Sequence, residues 1–173
     1  MIKEYRFNKE DTRKYLYKVL LQLFVYFIIL LVGLIVYKEI KDSSLITKII
    51  IGVLIVWGIL YLLPLFILYF NHRANSKSVV FSYDEGSDSF KYYSNKKNIN
   101  FTLNDIEKVE LYLTPNAYEK FIDLQYFGKY HYYKFFIRNS EPINLSCLVC
   151  DEIEDILPER LIEKKKKYLP IVE

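Results

Sequence analysis

The sequence predicts an α+β membrane protein. An N-terminal two-helix transmembrane hairpin precedes a C-terminal antiparallel β-domain, a barrel or sandwich of about seven strands with a C-terminal helix. Three observations carry this reading. Two runs, Val19–Tyr37 and Ile49–Phe70, contain no charged residue, although 26% of the 173 residues are charged. Only the 11 residues Lys38–Lys48 separate them. From Val79 onward apolar residues recur at every second position, which is the strand period.

The runs are 19 and 22 residues long. As helices they measure roughly 28 and 33 Å, against a hydrocarbon core of about 30 Å. Burial inside a soluble fold would need a large protein around a helix that is apolar on every face, and only about 100 residues follow. A cleaved signal peptide does not fit either. The leading segment is long and mixed in charge, the first run exceeds an h-region, no small-x-small site follows it, and a second run comes soon after. A short link makes the hairpin antiparallel, so both termini share one side. Six Lys/Arg in Met1–Lys18, with Arg73 and Lys77 after the second run, face three in the link, Lys38, Lys41 and Lys48. That bias places both termini in the cytoplasm, with the protein a multi-pass component of a bacterial plasma membrane. The abundance of Lys, Ile, Asn, Tyr and Phe fits AT-rich coding in a low-GC bacterium. Tyr15, Tyr17, Tyr37 and Tyr69 lie near the span ends, where amphipathic rings settle. Pro64 is a potential kink, and Gly33, Gly52 and Gly58 form no G-x-x-x-G. Gln22 is the one strongly polar side chain inside a run and reads as a tolerated interfacial amide. With no acid or base in either run, a proton path or a two-span transporter is disfavoured.

The expected organisation is a basic flank (1–18), the hairpin (19–70), a linker (71–78) and the β-domain with its helix (79–173). Val79, Phe81 and Tyr83 begin the alternation, and Asp84-Glu85-Gly86 is a turn signal. Phe90, Tyr92 and Ser94 make a second strand before the polar turn Asn95–Asn98. Ile99, Phe101 and Leu103 make a third, broken at Asn104-Asp105. Val109, Leu111 and Leu113 alternate with Glu110 and Tyr112, as a half-exposed strand does. Phe121–Phe127, Tyr130–Arg138 and Ile143–Leu145 complete the seven. In the tail, Ile153, Ile156, Leu157 and Leu161 have helical spacing, with acids before and lysines after. The spacing predicts a helix over Ser146–Leu157 and a second, Pro158–Tyr168, opened by its proline.

The stretches Val79-Val80-Phe81-Ser82-Tyr83, Phe90-Lys91-Tyr92-Tyr93 and Ile99 to Glu110, with a polar Asp105-Ile106 before a strand that carries Val109, resemble the opening of bacterial PH-like domains. Such domains follow one or two membrane spans in the YcxB-like proteins. The resemblance implies a PH-like β-domain. It is one of pattern and element order. The tail departs from it, because the family's closing helix is unbroken and Pro158 interrupts it here.

Composition narrows the function. The chain carries a net charge of +3, but Asn71–Glu173 holds 15 Lys/Arg against 16 Asp/Glu, so no basic face for nucleic acid is expected. Cys147-Leu148-Val149-Cys150 is a C-x-x-C with an apolar centre and no second pair to complete a zinc site, so it reads as two core thiols. His72 and His131 stand near no Ser, Cys or metal-spacing motif and read as structural. Asp151, Glu152, Glu154 and Asp155 read as the solvated first turns of a helix. Tyr126, Phe127, Tyr130, Tyr132, Tyr133, Phe135 and Phe136 are more rings than one strand face hides; a compact β-core accounts for them better than a binding patch. Lys164–Lys167 is a solvated helix end or a contact to anionic lipid, the latter worth about 1 kcal/mol per charge near the surface. These four lysines are the candidate site residues. No catalytic residue, cofactor or metal ligand is identified.

The resulting expectation is a non-catalytic, membrane-anchored binding or assembly module. Its partners are the lipid bilayer and a protein still to be found. An immunity protein against an antibacterial toxin is one alternative, which a neighbouring toxin gene would reveal. An accessory subunit of a membrane transporter is another, which co-purification with a polytopic partner would reveal.

Overall fold

The computed structural model describes residues 1–8, 16–17, 20–21, 24–25, 27–28, 31–33, 35, 44–119 and 129–172. Its eight strands form two four-stranded sheets. The first has the order β1-β2-β3-β4, with β1 Ile2–Arg6, β2 Val80–Asp84, β3 Ser89–Tyr93 and β4 Asn98–Thr102, all antiparallel. The second has the order β7-β6-β5-β8, with β5 Ile106–Leu113, β6 Tyr132–Ile137, β7 Ile143–Ser146 and β8 Ile162–Lys166. In it, β8 runs parallel to β5. One long helix, α1 (Ser44–Ser76, 33 residues), lies between β1 and β2 in the chain. The described residues also include two one-turn helices, α2 (Pro115–Tyr118) and α3 (Ile153–Ile156).

Turn chemistry sets the strand register. At the β2–β3 turn the Asp84 carboxylate accepts the Gly86 N–H at 3.1 Å and the Ser87 hydroxyl at 3.0 Å. Asp88 and Asn139 take left-handed φ values of 47° and 57°, a region these two residue types tolerate. After β4, the Asp105 carboxylate accepts the Thr102 N–H at 2.8 Å, tightening the corner into β5. The core lies between the sheets. Phe81, Phe90 and Phe101 come from one sheet; Val109, Leu111, Tyr133, Phe135, Ile143 and Leu145 come from the other. Phe135 joins them, with ring centroids 5.9 Å from Phe81 and 6.2 Å from Phe101. Val149, Cys150, Ile153 and Leu157 close one end.

This architecture corrects the expected fold class. The domain does not begin after an N-terminal two-helix hairpin. Its first strand is Ile2–Arg6, inside the supposed basic flank, and it pairs with β2 from Ile2↔Asp84 to Arg6↔Val80. Among the described residues one helix, not two, has the length and composition to cross a membrane. It is an insertion within a sheet rather than a leader before it. Among the described residues the strands number eight in two sheets rather than about seven, and the expected strand Phe121–Phe127 lies outside the described residues. So does Gln22, and so do nine of the 19 residues of Val19–Tyr37. The C-terminal helices are also replaced. Ser146–Leu157 holds only the single turn of α3, and Pro158–Tyr168 holds a 3₁₀ turn, Glu159–Leu161, followed by β8. Pro158 stops the helix, and Ile162 then pairs with Val109 to start a parallel ladder.

Candidate functional site

The joint between α1 and the β-domain is the most elaborate polar construction among the described residues. The buried residues of α1 are Leu65, Leu68, Tyr69, His72 and Ser76, a spacing that lies on one helix face. The apolar ones pack on Tyr130 and Leu148, with Phe7, Leu62, Leu169 and Ile171 at the margin. Within this apolar contact sits His72, with no exposed surface. Its Nε2 lies 2.8 Å from the Pro170 carbonyl oxygen. A carbonyl only accepts, so Nε2 carries the hydrogen. Nδ1 then accepts from the Ser146 hydroxyl at 2.9 Å, and Ser146 Oγ accepts the Leu148 N–H at 3.1 Å. One residue earlier, Asn71 makes a reciprocal pair with Val172. Its Nδ2 donates to the Val172 carbonyl at 3.1 Å, and its Oδ1 accepts the Val172 N–H at 2.8 Å. Two adjacent helix residues therefore hold the C-terminal tail and the end of β7.

A serine hydroxyl on an imidazole is also the geometry of a nucleophile and its base. Here both side chains are buried, and the second ring nitrogen is fixed by a backbone carbonyl. Cys147 Sγ stands 3.9 Å from Nδ1. Burial pushes both thiols up, Cys147 and Cys150 each to about 12. The thiolate, which is the reactive form, is therefore scarce at pH 8 in both. In folded protein at pH 8, neither cysteine is expected to be alkylated by iodoacetamide on a timescale that labels both in urea; mass spectrometry counts the adducts.

The residues singled out in the sequence are distributed as follows. Lys164–Lys166 lie in β8, and Lys167 follows it. Lys164 pairs with Glu154 at 2.8 Å, Lys165 with Glu163 at 2.5 Å, and Lys166 with Glu119. Lys167 lies 5.5 and 5.4 Å above the rings of Tyr112 and Tyr132. Because strand side chains alternate, the run is divided between two faces. Tyr126 and Phe127 lie outside the described residues. The remaining rings also alternate: Tyr133 and Phe135 point into the core, while Tyr132 and Phe136 lie on the outer face. There Tyr132 stacks on Tyr112 with centroids 4.7 Å apart, and Lys108 sits 4.5 Å over Phe136. His131 is half-buried, its Nδ1 3.1 Å from the Lys129 carbonyl, and burial holds its pKa below the usual imidazole range. Asp151, Glu152, Glu154 and Asp155 are exposed. Among the described residues no three His, Cys, Asp or Glu side chains gather as a metal site requires.

Sequence reasoning overlooked the joint because its partners are far apart in the chain. His72 and Ser146 are separated by 74 positions, and His72 and Pro170 by 98. The one available signal was phase: His72 falls seven residues after Leu65, on the stripe that α1 buries.

Two packed antiparallel-rich sheets that close on a shared aromatic core, with a structural polar joint to one inserted helix, define a small β-module of the binding type. The chain belongs to the PH domain family: the family model matches residues 4–154, from within β1 through α3. PH domains serve as binding or assembly modules, which is the coarse function this membership supports. No curated protein and no solved structure matches the chain.

Proposed function

We propose that this protein is a membrane-anchored, non-catalytic PH module of the YcxB-like kind, with its domain at the cytoplasmic face of a bacterial plasma membrane, where it engages a protein partner or the inner leaflet. The observation that carries the reading is the exposure of α1. Its most apolar stretch, within Ile51–Ser76, reaches a mean hydropathy of 2.6, yet only 13% of that window is buried in the protein. A core helix of the same composition would be covered. Ile51, Val53, Ile55, Val56, Ile59, Leu60 and Leu63 are each about half exposed or more, and apolar patches of this extent mark a contact with lipid or protein. The described residues from Leu21 to Ile35 in the first apolar run are exposed as well.

The pairing of β1 with β2 constrains the topology. Residues 7–79 leave the sheet at β1 and re-enter it at β2, so both ends of this excursion lie on one side of any membrane. The Lys/Arg excess at the chain's start favours the cytoplasm for that side. Lys164–Lys167 would add contacts to anionic headgroups, against which Glu154, Glu163 and Glu119 compete. The test is extraction. Membranes from cells expressing the full chain are washed with alkaline carbonate, and inverted vesicles and intact spheroplasts are treated with protease. Retention in the pellet, with cleavage of the domain only in inverted vesicles, is expected. Release into the carbonate supernatant overturns the anchor, and cleavage in spheroplasts overturns the cytoplasmic side.

A further inference from the structure

The inserted helix is too short to hold the domain clear of a bilayer. The apolar run begins after Lys48, and full burial by the domain begins at Leu65, just after the partly buried Leu62. The 16 residues from Ile49 to Pro64 give roughly 24 Å of helix, against the roughly 30 Å a bilayer's hydrocarbon requires. Extending the run to Phe70 gives 22 residues and roughly 33 Å. The added turns already belong to the domain. Their two faces differ in the way such a placement demands. Leu65, Leu68 and Tyr69 are buried against the domain, whereas Leu63, Ile67 and Phe70 remain 55%, 40% and 58% exposed on the opposite side. The outward face therefore stays apolar for about one and a half turns past the point where the domain takes hold. It then changes character at Arg73, whose Nη1 donates to the Tyr69 hydroxyl at 3.4 Å, with the guanidinium 5.9 Å from that ring. An arginine beside a tyrosine at the end of an apolar helix is the arrangement found at headgroup depth.

Resting on the membrane reading above, we propose that the PH domain is sunk into the membrane surface along its α1 edge. Lipid acyl chains cover Leu63, Ile67 and Phe70, and the headgroup layer begins at Arg73. The joint of His72, Ser146 and Pro170 then lies directly beneath the headgroups, which gives its all-internal hydrogen bonding a purpose: polar groups at that depth have little water to turn to. The domain's position relative to the bilayer is fixed by the protein rather than left to a tether.

Depth-dependent quenching tests this. The full chain is reconstituted into phosphatidylcholine vesicles whose acyl chains carry bromine near the headgroup or near the chain end. The single tryptophan, Trp57, reports on the middle of the run. In a Trp57→Phe background, Phe70→Trp and, separately, Ile67→Trp report on the disputed turns, and Tyr83→Trp, beside the β2–β3 turn at the end of the sheet away from α1, reports on the far part of the domain. Circular dichroism checks that each variant is folded; both junction positions are exposed, so each tolerates the change independently. The expected result is loss of Trp57 fluorescence with either lipid, loss at positions 67 and 70 strongest with bromine near the headgroup, and none at position 83. Quenching of Trp57 with none at 67 and 70 overturns this proposal and leaves the anchor standing. No quenching at Trp57 removes the anchor and this proposal together. Equal quenching at position 83 also overturns it, since the domain would then have no defined depth.

Discussion

Phe135→Ala is expected to destabilise the β-domain by roughly 3–5 kcal/mol, a large part of what a domain of this size has in reserve. Phe135 has no exposed surface and is the ring through which the two sheets touch, facing Phe81 and Phe101. Removing it opens a cavity whose walls belong to different sheets, so neither sheet can fill it by local repacking. The neighbouring Phe136→Ala is expected to cost under about 1.5 kcal/mol. Phe136 is half-buried on the outer face, and its chief partners are Lys108 and Lys134, at 4.5 and 5.7 Å from its ring, contacts worth about 0.5–1 kcal/mol each at an exposed site. Urea unfolding of the detergent-solubilised chain, followed by circular dichroism, measures both. Equal losses would mean that the inward and outward faces of β6 are misassigned, because a one-residue slip exchanges every side chain between faces.

The same alternation explains which elements could be seen in the sequence. β2, β3, β4, β5 and β7 carry their core residues largely at every second position, and β6 is a run of rings, so these strands can be read from the sequence. β1 and β8 are edge strands built as Ile-Lys-Glu-Tyr-Arg and Ile-Glu-Lys-Lys-Lys. An edge needs charge more than apolar cover, since charge deters unwanted pairing, and a strand of charges is indistinguishable from a flank or a solvated helix end. In β8 the alternation exists but is hidden, because Lys164, Lys165 and Lys166 are the same residue on alternating faces. The expected C-terminal helix failed for a related reason. Ile153 and Leu157 have helical spacing and both are buried, but they reach the core from a single turn and the loop after it, and the chain then turns at Pro158 into β8. The apolar run Ile49–Phe70 was legible as a helix. That it interrupts a sheet was not, because the only clue was β1. Apart from the phase of His72 on the buried stripe of α1, the joint left no trace in the sequence, since it is assembled from residues at positions 71–72, 146 and 170–172 that only the finished fold brings together.

His72→Ala is expected to cost about 2–4 kcal/mol and to do so locally. The substitution leaves the Pro170 carbonyl and the Ser146 hydroxyl buried without the partners they now have, and each stranded group costs about 1–3 kcal/mol. Ser146→Ala removes one of the two contacts, so the double variant should lose less than the sum of the singles, with a coupling of about 0.5–3 kcal/mol. The location of the damage separates a joint from a general core residue. If His72 clasps the helix to the tail and to β7, hydrogen exchange should accelerate first at the Val172 and Leu148 amides, whose acceptors are Asn71 Oδ1 and Ser146 Oγ, while the β5–β6 ladder stays protected until global unfolding. Uniform acceleration across both sheets would show that the joint is not a separable unit. In the domain's sunk position, local loosening has a further consequence. The helix turns that hold the domain at the membrane surface would no longer be tied to β7, so His72→Ala should bring quenching to Tyr83→Trp in the quenching experiment without releasing Trp57 from the bilayer.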